Sequence, residues 1–386
     1  MRRPASSDNG MHASAANSDG LEAQKSKETG VQDVSTVVAG RRGMSRVLTL
    51  GLDLGDRVTH YALLDMQGRV IERGKVETAR DALRARFAAL PPSRVVLEVS
   101  THSPWVSALF GQLGHGVIVA NARAVKAVSN NPRKSDRVDA ELLARLGRVD
   151  PGLLRPIEHR GEAAQHDLTL LRARDTLVRA RAMLINSARG LVKASGTRLP
   201  KCDADAFHRQ AAAAVPDELR SALEPLLKAS ATLTEQVRAY DREVEAMLVR
   251  YPATQALRQL RGVGPLTSVA YVLTIDDPRR FAHSRMVGPY LGLVPRRRQS
   301  GDRDPELHIT KTGDGFLRKL LVECAQYMLG SFGEDSDLRR WGLRLAGEGS
   351  TARKRRAVIA VARKLAALLH HLWVNGEVYQ PLRQAA

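Results

Sequence analysis

From Val47 onward the apolar residues fall first into short runs and then into helical stripes. "VLTLGLDLG" is apolar and ends in glycine, and "VTHYALLD" and "GRVIERGKVE" follow it. Tight connections at Gly55–Asp56 and Gln67–Gly68 separate these runs, which predicts an antiparallel meander. "TARDALRARFAAL" has helical spacing. "SRVVLEVS" reads as a buried strand, "PWVSALFGQL" as a helix with proline near its start, and "GVIVA" as another strand. A helix from "KSDRVDAELLARL" closes the series, and strands alternating with helices in this way give an α/β order.

That last helix carries acids where it begins. At about 100° per residue, Val138, Leu142, Leu143 and Leu146 form an apolar stripe with Asp139 in its middle. Asp136 lies at the stripe's edge, and Glu141 points the opposite way. Ser135 suits the N-cap, and an acid at Asp136 faces the positive end of the helix dipole. Asp139 has no such excuse, because a carboxylate aimed into a packed body needs a partner.

The pattern changes after Pro151. Leu170, Leu177, Leu184 and Leu191 recur at every seventh position, flanked by Leu171, Val178, Ile185 and Val192. Leu226, Leu233, Tyr240 and Met247 repeat in the same way, with Val237 and Val244 between them. Two such helices joined through "GTRLPKCDAD" predict a helical hairpin, a coiled-coil dimeriser or an ordinary bundle, which the pattern alone does not separate. Past Leu257, "LRQLRGVGPLTSVAYVL" reads as helix, tight turn, helix, and further helices are expected near 336–346 and 351–374. The expected divisions are a polar, aperiodic tail over 1–43, an α/β domain over 45–150, a helical linker over 160–252, a mainly helical domain over 253–375 and a tail over 376–386. Met44 is an alternative start.

Charge narrows the function. The chain has 386 residues, and 60 Lys+Arg against 41 Asp+Glu leave it at +19, which favours a polyanionic partner such as nucleic acid. No apolar run is expected to reach membrane-spanning length, and the basic start lacks a signal peptide's apolar core, so no membrane partner is expected. Cys202 and Cys324 are isolated, which suits a reducing cytoplasm and excludes a zinc cage or disulfide framework. Aromatic residues are only 4%, too few for a base-stacking single-strand platform.

Several constellations could carry chemistry. Asp53 lies near the end of the first strand, Glu98 near the end of the fourth, and Asp136 and Asp139 open the last helix of the domain. In a sheet ordered like a ribonuclease H or RuvC-like resolvase domain these places converge. Carboxylates crowded together raise each other's pKa unless a divalent cation joins them. Mg²⁺ (or Mn²⁺) takes oxygen ligands, and two ions about 4 Å apart clamp a phosphodiester. "RGVGPLT" resembles a helix-hairpin-helix element: Gly262 and Gly264 permit the turn, and free N–H groups after Pro265 can hold a phosphate. A plain helix–helix turn reads equally well. In "RRRQSG", Ser300 follows Arg296, Arg297 and Arg298, with Lys311 further on. Serine before glycine is usually a turn residue, but guanidinium groups around a hydroxyl are also what phosphoryl transfer needs. Arg353, Lys354, Arg355 and Arg356 make a further basic cluster for phosphates.

Taken in order, "GLDLGDRVTHYALLD", "VVLEVSTHSPW", "KSDRVDAELLARL", "LRGVGPLTSVAYVL" and "GPYLGLVPRRRQSGDRDPELHITKTGDGFLRKLLVECAQYMLG" resemble the DEDD-type transposases of the insertion sequence 110 family, the bridge-RNA-guided recombinases. The resemblance spans residues 45 to about 375. It implies a RuvC-like domain whose metal ligands are Asp53, Glu98, Asp136 and Asp139, a coiled-coil linker used in homo-oligomerisation, and a C-terminal transposase domain whose Ser300 attacks DNA. It also implies a guide RNA, Mg²⁺ or Mn²⁺, composite sites shared between subunits, and work on the nucleoid in the cytoplasm. Gln299-Ser300-Gly301 holds one serine where the family often has two. Two enzyme readings compete with it. One is a RuvC-like nuclease for branched DNA without serine chemistry. The other is an ATPase, because "GLDLGDRVTHYALLD" also resembles the first phosphate loop of actin and sugar kinases, although the second phosphate loop and adenosine motif of that fold are not evident. A DNA-bridging protein without catalysis is the non-enzymatic alternative.

Overall fold

A computed structural model describes residues 47–128, 136–301, 303, 305 and 307–383, without the side chains of residues 128, 136 and 137. The expected tail over 1–43, Met44 and the N-cap at Ser135 lie outside the described residues. The chain divides into two compact units after Glu158.

The first unit is built on a five-stranded sheet of order β3-β2-β1-β4-β5. β1 (Thr49–Leu54), β2 (Val58–Leu64) and β3 (Val70–Glu77) form the antiparallel meander, and β4 (Arg94–Glu98) and β5 (Gly116–Ala120) extend it in parallel with β1. Asp65 makes the second turn by accepting from the amides of Gln67 and Arg69 through one carboxylate oxygen, at 2.9 and 2.8 Å. Gly68 supplies the positive φ, 84°, that the turn requires.

The two sheet faces are covered differently. Leu50, Leu52, Val95 and Leu97 point to α1 (Arg80–Phe87) and α2 (Ser103–Gln112), where they bury Leu83, Phe87, Val106, Leu109 and Phe110. The alternate residues face α4 (Asp136–Val149), which follows a short helix α3 (Ala122–Val128). The stripe on α4 differs from the expected one. Val138 is 41% exposed, and the buried positions are Ala140, Leu143, Ala144 and Gly147. Small residues win because the helix lies almost on the backbone of β1: a Cβ on Gly51 would stand 2.0 Å from the carbonyl oxygen of Ala140.

The second unit is helical. α5 (Glu162–Lys193) and α7 (Asp217–Arg250) pack along each other as a hairpin, with α6 (Phe207–Ala212) in the connection. The buried seam is offset from the heptad of leucines. Leu171, Ile185 and Val192 are buried, whereas Leu191 is 55% exposed. On α7 the seam runs through Leu223, Leu227, Ser230, Thr234, Val237 and Val244, so two of its positions are hydroxyls. Polar ties hold it: Arg174 Nε meets Asp241 at 2.6 Å, and Arg181 donates to Asp205 at 2.6 Å and to Thr234 at 3.2 Å.

Beyond the hairpin, the expected helix before the "RGVGP" turn is only one turn long, α8 (Thr254–Leu257). α9 (Pro265–Ile275) is the core helix, buried from Thr267 onward, and its Tyr271 hydroxyl donates to the Ala366 carbonyl at 2.7 Å. A one-turn helix α10 (Val287–Tyr290), α11 (Gly315–Leu329), α12 (Asp337–Ala346) and α13 (Thr351–Asn375) complete the unit. Contrary to the sequence reading, α13 is long and apolar enough to cross a membrane. Its apolar face belongs to the core: Val361, Leu365, Leu369 and Leu372 are all fully buried.

Candidate functional site

Backbone pairing brings the strand-end acids together. Gly51 pairs with Val96 and Leu52 with Leu97 between the parallel strands β1 and β4, so Asp53 and Glu98 are the next residues on neighbouring strands. Side chains alternate, and Gly51 and Val96 both meet α4, so Asp53 and Glu98 share that face. Both are half-buried.

The register of α4 determines which acids join them. Its C-terminal end is fixed at the start of β4. There Gly147 sits against Val96, where a Cβ would come within 2.4 Å, and buried Arg94 donates from Nη1 to the Gly147 carbonyl at 2.6 Å. A cation at a helix C-terminus also opposes the helix dipole. Burial lowers the Arg94 pKa, and the nearby Arg148 charge adds to this. One turn earlier Ala144 and Ala140 lie on Gly51. The helix therefore runs antiparallel to β1 and β4, and its first turn reaches their carboxyl ends. Asp139, half-buried, immediately precedes Ala140, and Asp136 opens the helix one turn before it. The side chain of Asp136 lies outside the described residues. Glu141 does turn away: it accepts from Arg73 at 2.6 Å and from Arg145 at 2.8 Å. The Arg73 hydrogen bond, with that of Arg145, holds the Glu141 carboxyl below its usual range against the opposing effect of burial. This pair ties α4 to β3 at its outer edge.

Among the described residues no three His, Cys, Asp or Glu side chains already close into a metal cage. The donor set at the strand ends is nonetheless all carboxylate, which suits a hard divalent cation. Sequence reasoning missed His60, the cross-strand partner of Asp53 and likewise half-buried. The β1–β2 pairing is centred between Asp56 and Arg57, one residue beyond the turn expected at Gly55–Asp56, and this register places it.

In the second unit Ser300 sits at the end of an exposed hairpin. Arg296 donates its amide to His308 at 3.0 Å, and Ser300 and Arg303 exchange backbone bonds at 3.1 Å. Gly301 makes the tip with φ 56°. Arg296, Arg297, Arg298 and Ser300 are all exposed along this one arm. Lys311 lies at the base of the arm, in the left-handed region at φ 53°, with its amide on the Gly292 carbonyl at 3.2 Å. The "RGVGP" turn leads into α9. Gly262 has φ 96° and lies against Tyr327, and Gly264 is the N-cap of α9 with open space around it. Arg353, Lys354, Arg355 and Arg356 occupy the exposed first turns of α13, where Arg353 donates to the Leu345 carbonyl at 2.9 Å.

Known proteins resemble the chain along almost its whole length. A model of IS110-type DEDD transposases, described as "Transposase", matches residues 50–195, and one described as "Transposase IS116/IS110/IS902 family" matches residues 254–339. The "Transposase for insertion sequence element IS1111A" of Coxiella burnetii is 26% identical over 348 residues, 88% of this chain and 93% of that protein. The "Probable family 20 transposase" of Pseudomonas aeruginosa is 28% identical over 342 residues, 86% of this chain and 98% of that one. The "Transposase for insertion sequence element IS1328" of Yersinia enterocolitica is 28% identical over 346 residues, 87% and 99% of the two chains.

Proposed function

We propose that this chain, which belongs to the IS116/IS110/IS902 family of transposases, cuts and rejoins DNA strands with a carboxylate site in its first unit and a serine in its second. As a DNA transposase it acts on DNA. The observation that carries the finer reading is the common face of Asp53 and Glu98 at adjacent strand ends, capped by the helix start that holds Asp136 and Asp139. The 3-2-1-4-5 strand order supports a ribonuclease H or RuvC-like domain around it.

Asp53, Glu98, Asp136 and Asp139 are the residues that would hold Mg²⁺ or Mn²⁺. When bound, the ions supply Lewis acidity to a phosphodiester. The chain's own part is to fix the ligands: Gly51 and Arg94 set the height of α4 over the sheet, and that height sets where Asp139 stands. Ser300 is the nucleophile, displayed on an arm whose arginines offset charge developing on the attacked phosphate. Gly262, Gly264, Arg296, Arg297, Arg298, Lys311, Arg353, Lys354, Arg355 and Arg356 bind phosphates, the two glycines through a helix-hairpin-helix-like turn. Basic clusters on separate elements, in a chain of charge +19, support a guide RNA as partner besides DNA. Residues 160–252 act as the linker, and Met183 and Leu191, exposed on α5, support assembly with further copies through it.

The acids and the phosphate-binding residues have separable roles. Asp53→Ala or Asp139→Ala should abolish strand cleavage and leave nucleic-acid binding within about threefold of wild type, because the basic residues carry affinity. Cleavage at the wild-type rate in either variant sinks the carboxylate assignment.

A further inference from the structure

A second serine, 16 residues before Ser300, is hydrogen-bonded to a histidine. Ser284 Oγ lies 2.9 Å from His370 Nδ1, and His370 Nε2 lies 2.8 Å from the carbonyl oxygen of Pro278. A carbonyl only accepts, so Nε2 carries the ring proton. Nδ1 therefore presents a lone pair, and the Ser284 hydroxyl donates to it. The imidazole is held in this tautomer: it is 2% exposed, and Phe281 packs edge-on against it with ring centroids 5.6 Å apart. A hydroxyl, a base within hydrogen-bond reach and a third group orienting the base make up the arrangement that activates a serine.

The pair lines a cavity of about 380 Å³ between the 278–286 segment and the end of α13. Arg285 stands at its wall, together with His283 and with Arg279, whose guanidinium is paired with Asp277 at 3.0 Å. Arg285 on this wall favours an anionic ester. A stabilising tie alone would not require the hydroxyl to line a cavity that also holds Arg285.

We propose that Ser284 and His370 form a second nucleophilic site, built to take a phosphodiester. His370 Nδ1 accepts the proton of the Ser284 hydroxyl as the Oγ–P bond forms. The P–O bond to the departing sugar oxygen breaks on the side of phosphorus opposite Ser284, that oxygen takes a proton from water, and the hydroxide so formed is neutralised by the proton on Nδ1, so atoms and charge balance. His370 takes the serine proton and releases it to solvent, and Arg285 stabilises the phosphorus-bound oxygens. The choice of a nucleic-acid phosphodiester rests on the transposase reading, but the activation of Ser284 does not.

A fluorophosphonate probe reads that activation on the full-length protein without DNA, RNA or metal. Peptide mass spectrometry should place the adduct on Ser284. Ser284→Ala should remove it, and Ser300→Ala should leave it unchanged. His370→Gln should slow it about 100-fold, the contribution of a general base. Circular dichroism confirms that each variant is folded. If His370→Gln does not fold, Phe281→Leu, which loosens the ring's packing but keeps the base, should slow labelling severalfold instead. An unlabelled Ser284 in folded wild-type protein, or labelling that is undiminished in the folded His370 or Phe281 variant, overturns the proposal. Neither result bears on Ser300, whose loss is scored by recombination.

Discussion

Gly51→Ala is the smallest change that should disturb the carboxylate site without touching an acid. The added Cβ would stand 2.0 Å from the Ala140 carbonyl oxygen, 2.8 Å from the Ala144 nitrogen and 2.9 Å from the Ala144 Cβ. Two of these atoms are backbone, so no side chain can swing away. Ordinary contact begins at 3.4 Å, and 3.4 − 2.0 gives a local withdrawal of α4 by 1.4 Å. Overpacking of this kind costs about 1–3 kcal/mol, and with backbone as the obstacle the upper end applies. Asp139 precedes Ala140 and moves with it, and a misplacement of about 1 Å in a catalytic group costs on the order of 100-fold in rate. Gly111→Ala is the control. It lies in α2 with nothing within 4 Å of the new methyl, and helix propensity should make it neutral or stabilising by up to about 1 kcal/mol. Hydrogen exchange under increasing urea reports the stability of residues 47–158 separately from the second unit, and cleavage of labelled DNA reports the site. If Gly51→Ala protects α4 amides like wild type and cleaves at the same rate, α4 does not lie on β1 as described and the convergence of the acids fails with it.

Two further outcomes follow from particular residues. Burial lowers the pKa of His115, whose Nδ1 accepts the Ser93 amide at 3.2 Å, while the unfolded chain takes up the proton near the ordinary value of about 6.5. Below that pH the unfolded state binds more protons, so the stability of the first unit should fall as pH drops from 7.5 to 5.5 and should be fully present only above about 6.5; a His115→Gln variant with an equally steep pH dependence of its melting temperature would exclude this. Lys354→Ala with Arg355→Ala should lower the slope of log affinity against log salt by about 1–2 for duplex DNA, one phosphate contact for each charge lost, and an unchanged slope would remove these residues from the interface.

The strands and most long helices were legible because their apolar residues keep one period. β1 to β5 follow runs such as "VLTLGLDLG" and "GVIVA", and α12 and α13 fall where the stripes predicted. What was misread depended on shape instead of hydropathy. On α4, Ala140 and Ala144 lie against a bare Gly51 and Gly147 against Val96, beside the buried Leu143, and small residues carry almost no hydrophobic signal. The hairpin seam passes through Ser230 and Thr234, which a count of leucines cannot find, and it leaves Leu191 outside. α3 and α6 are short and lack a full stripe. The arm bearing Ser300 has three arginines and a proline in place of strand alternation. Asp53 and Glu98 could be placed from strand ends alone, whereas His60 needed the register of β2. Ser284 and His370 are 86 residues apart, and no local spacing links them.

The acids and Ser300 are proposed to carry out one covalent DNA transaction. Its most direct measurement is a denaturing gel of end-labelled DNA incubated with protein, guide RNA and Mg²⁺. Wild-type protein should leave DNA attached through a phosphoserine that peptide mapping assigns to Ser300. Ser300→Ala removes one exposed oxygen from a hairpin tip, so folding and nucleic-acid binding should persist while adduct and recombinant product both vanish. A cleaved product free of protein from the wild type, or undiminished cleavage by Ser300→Ala, would mean that water is the nucleophile and that the chain cuts DNA as a resolvase-type nuclease does.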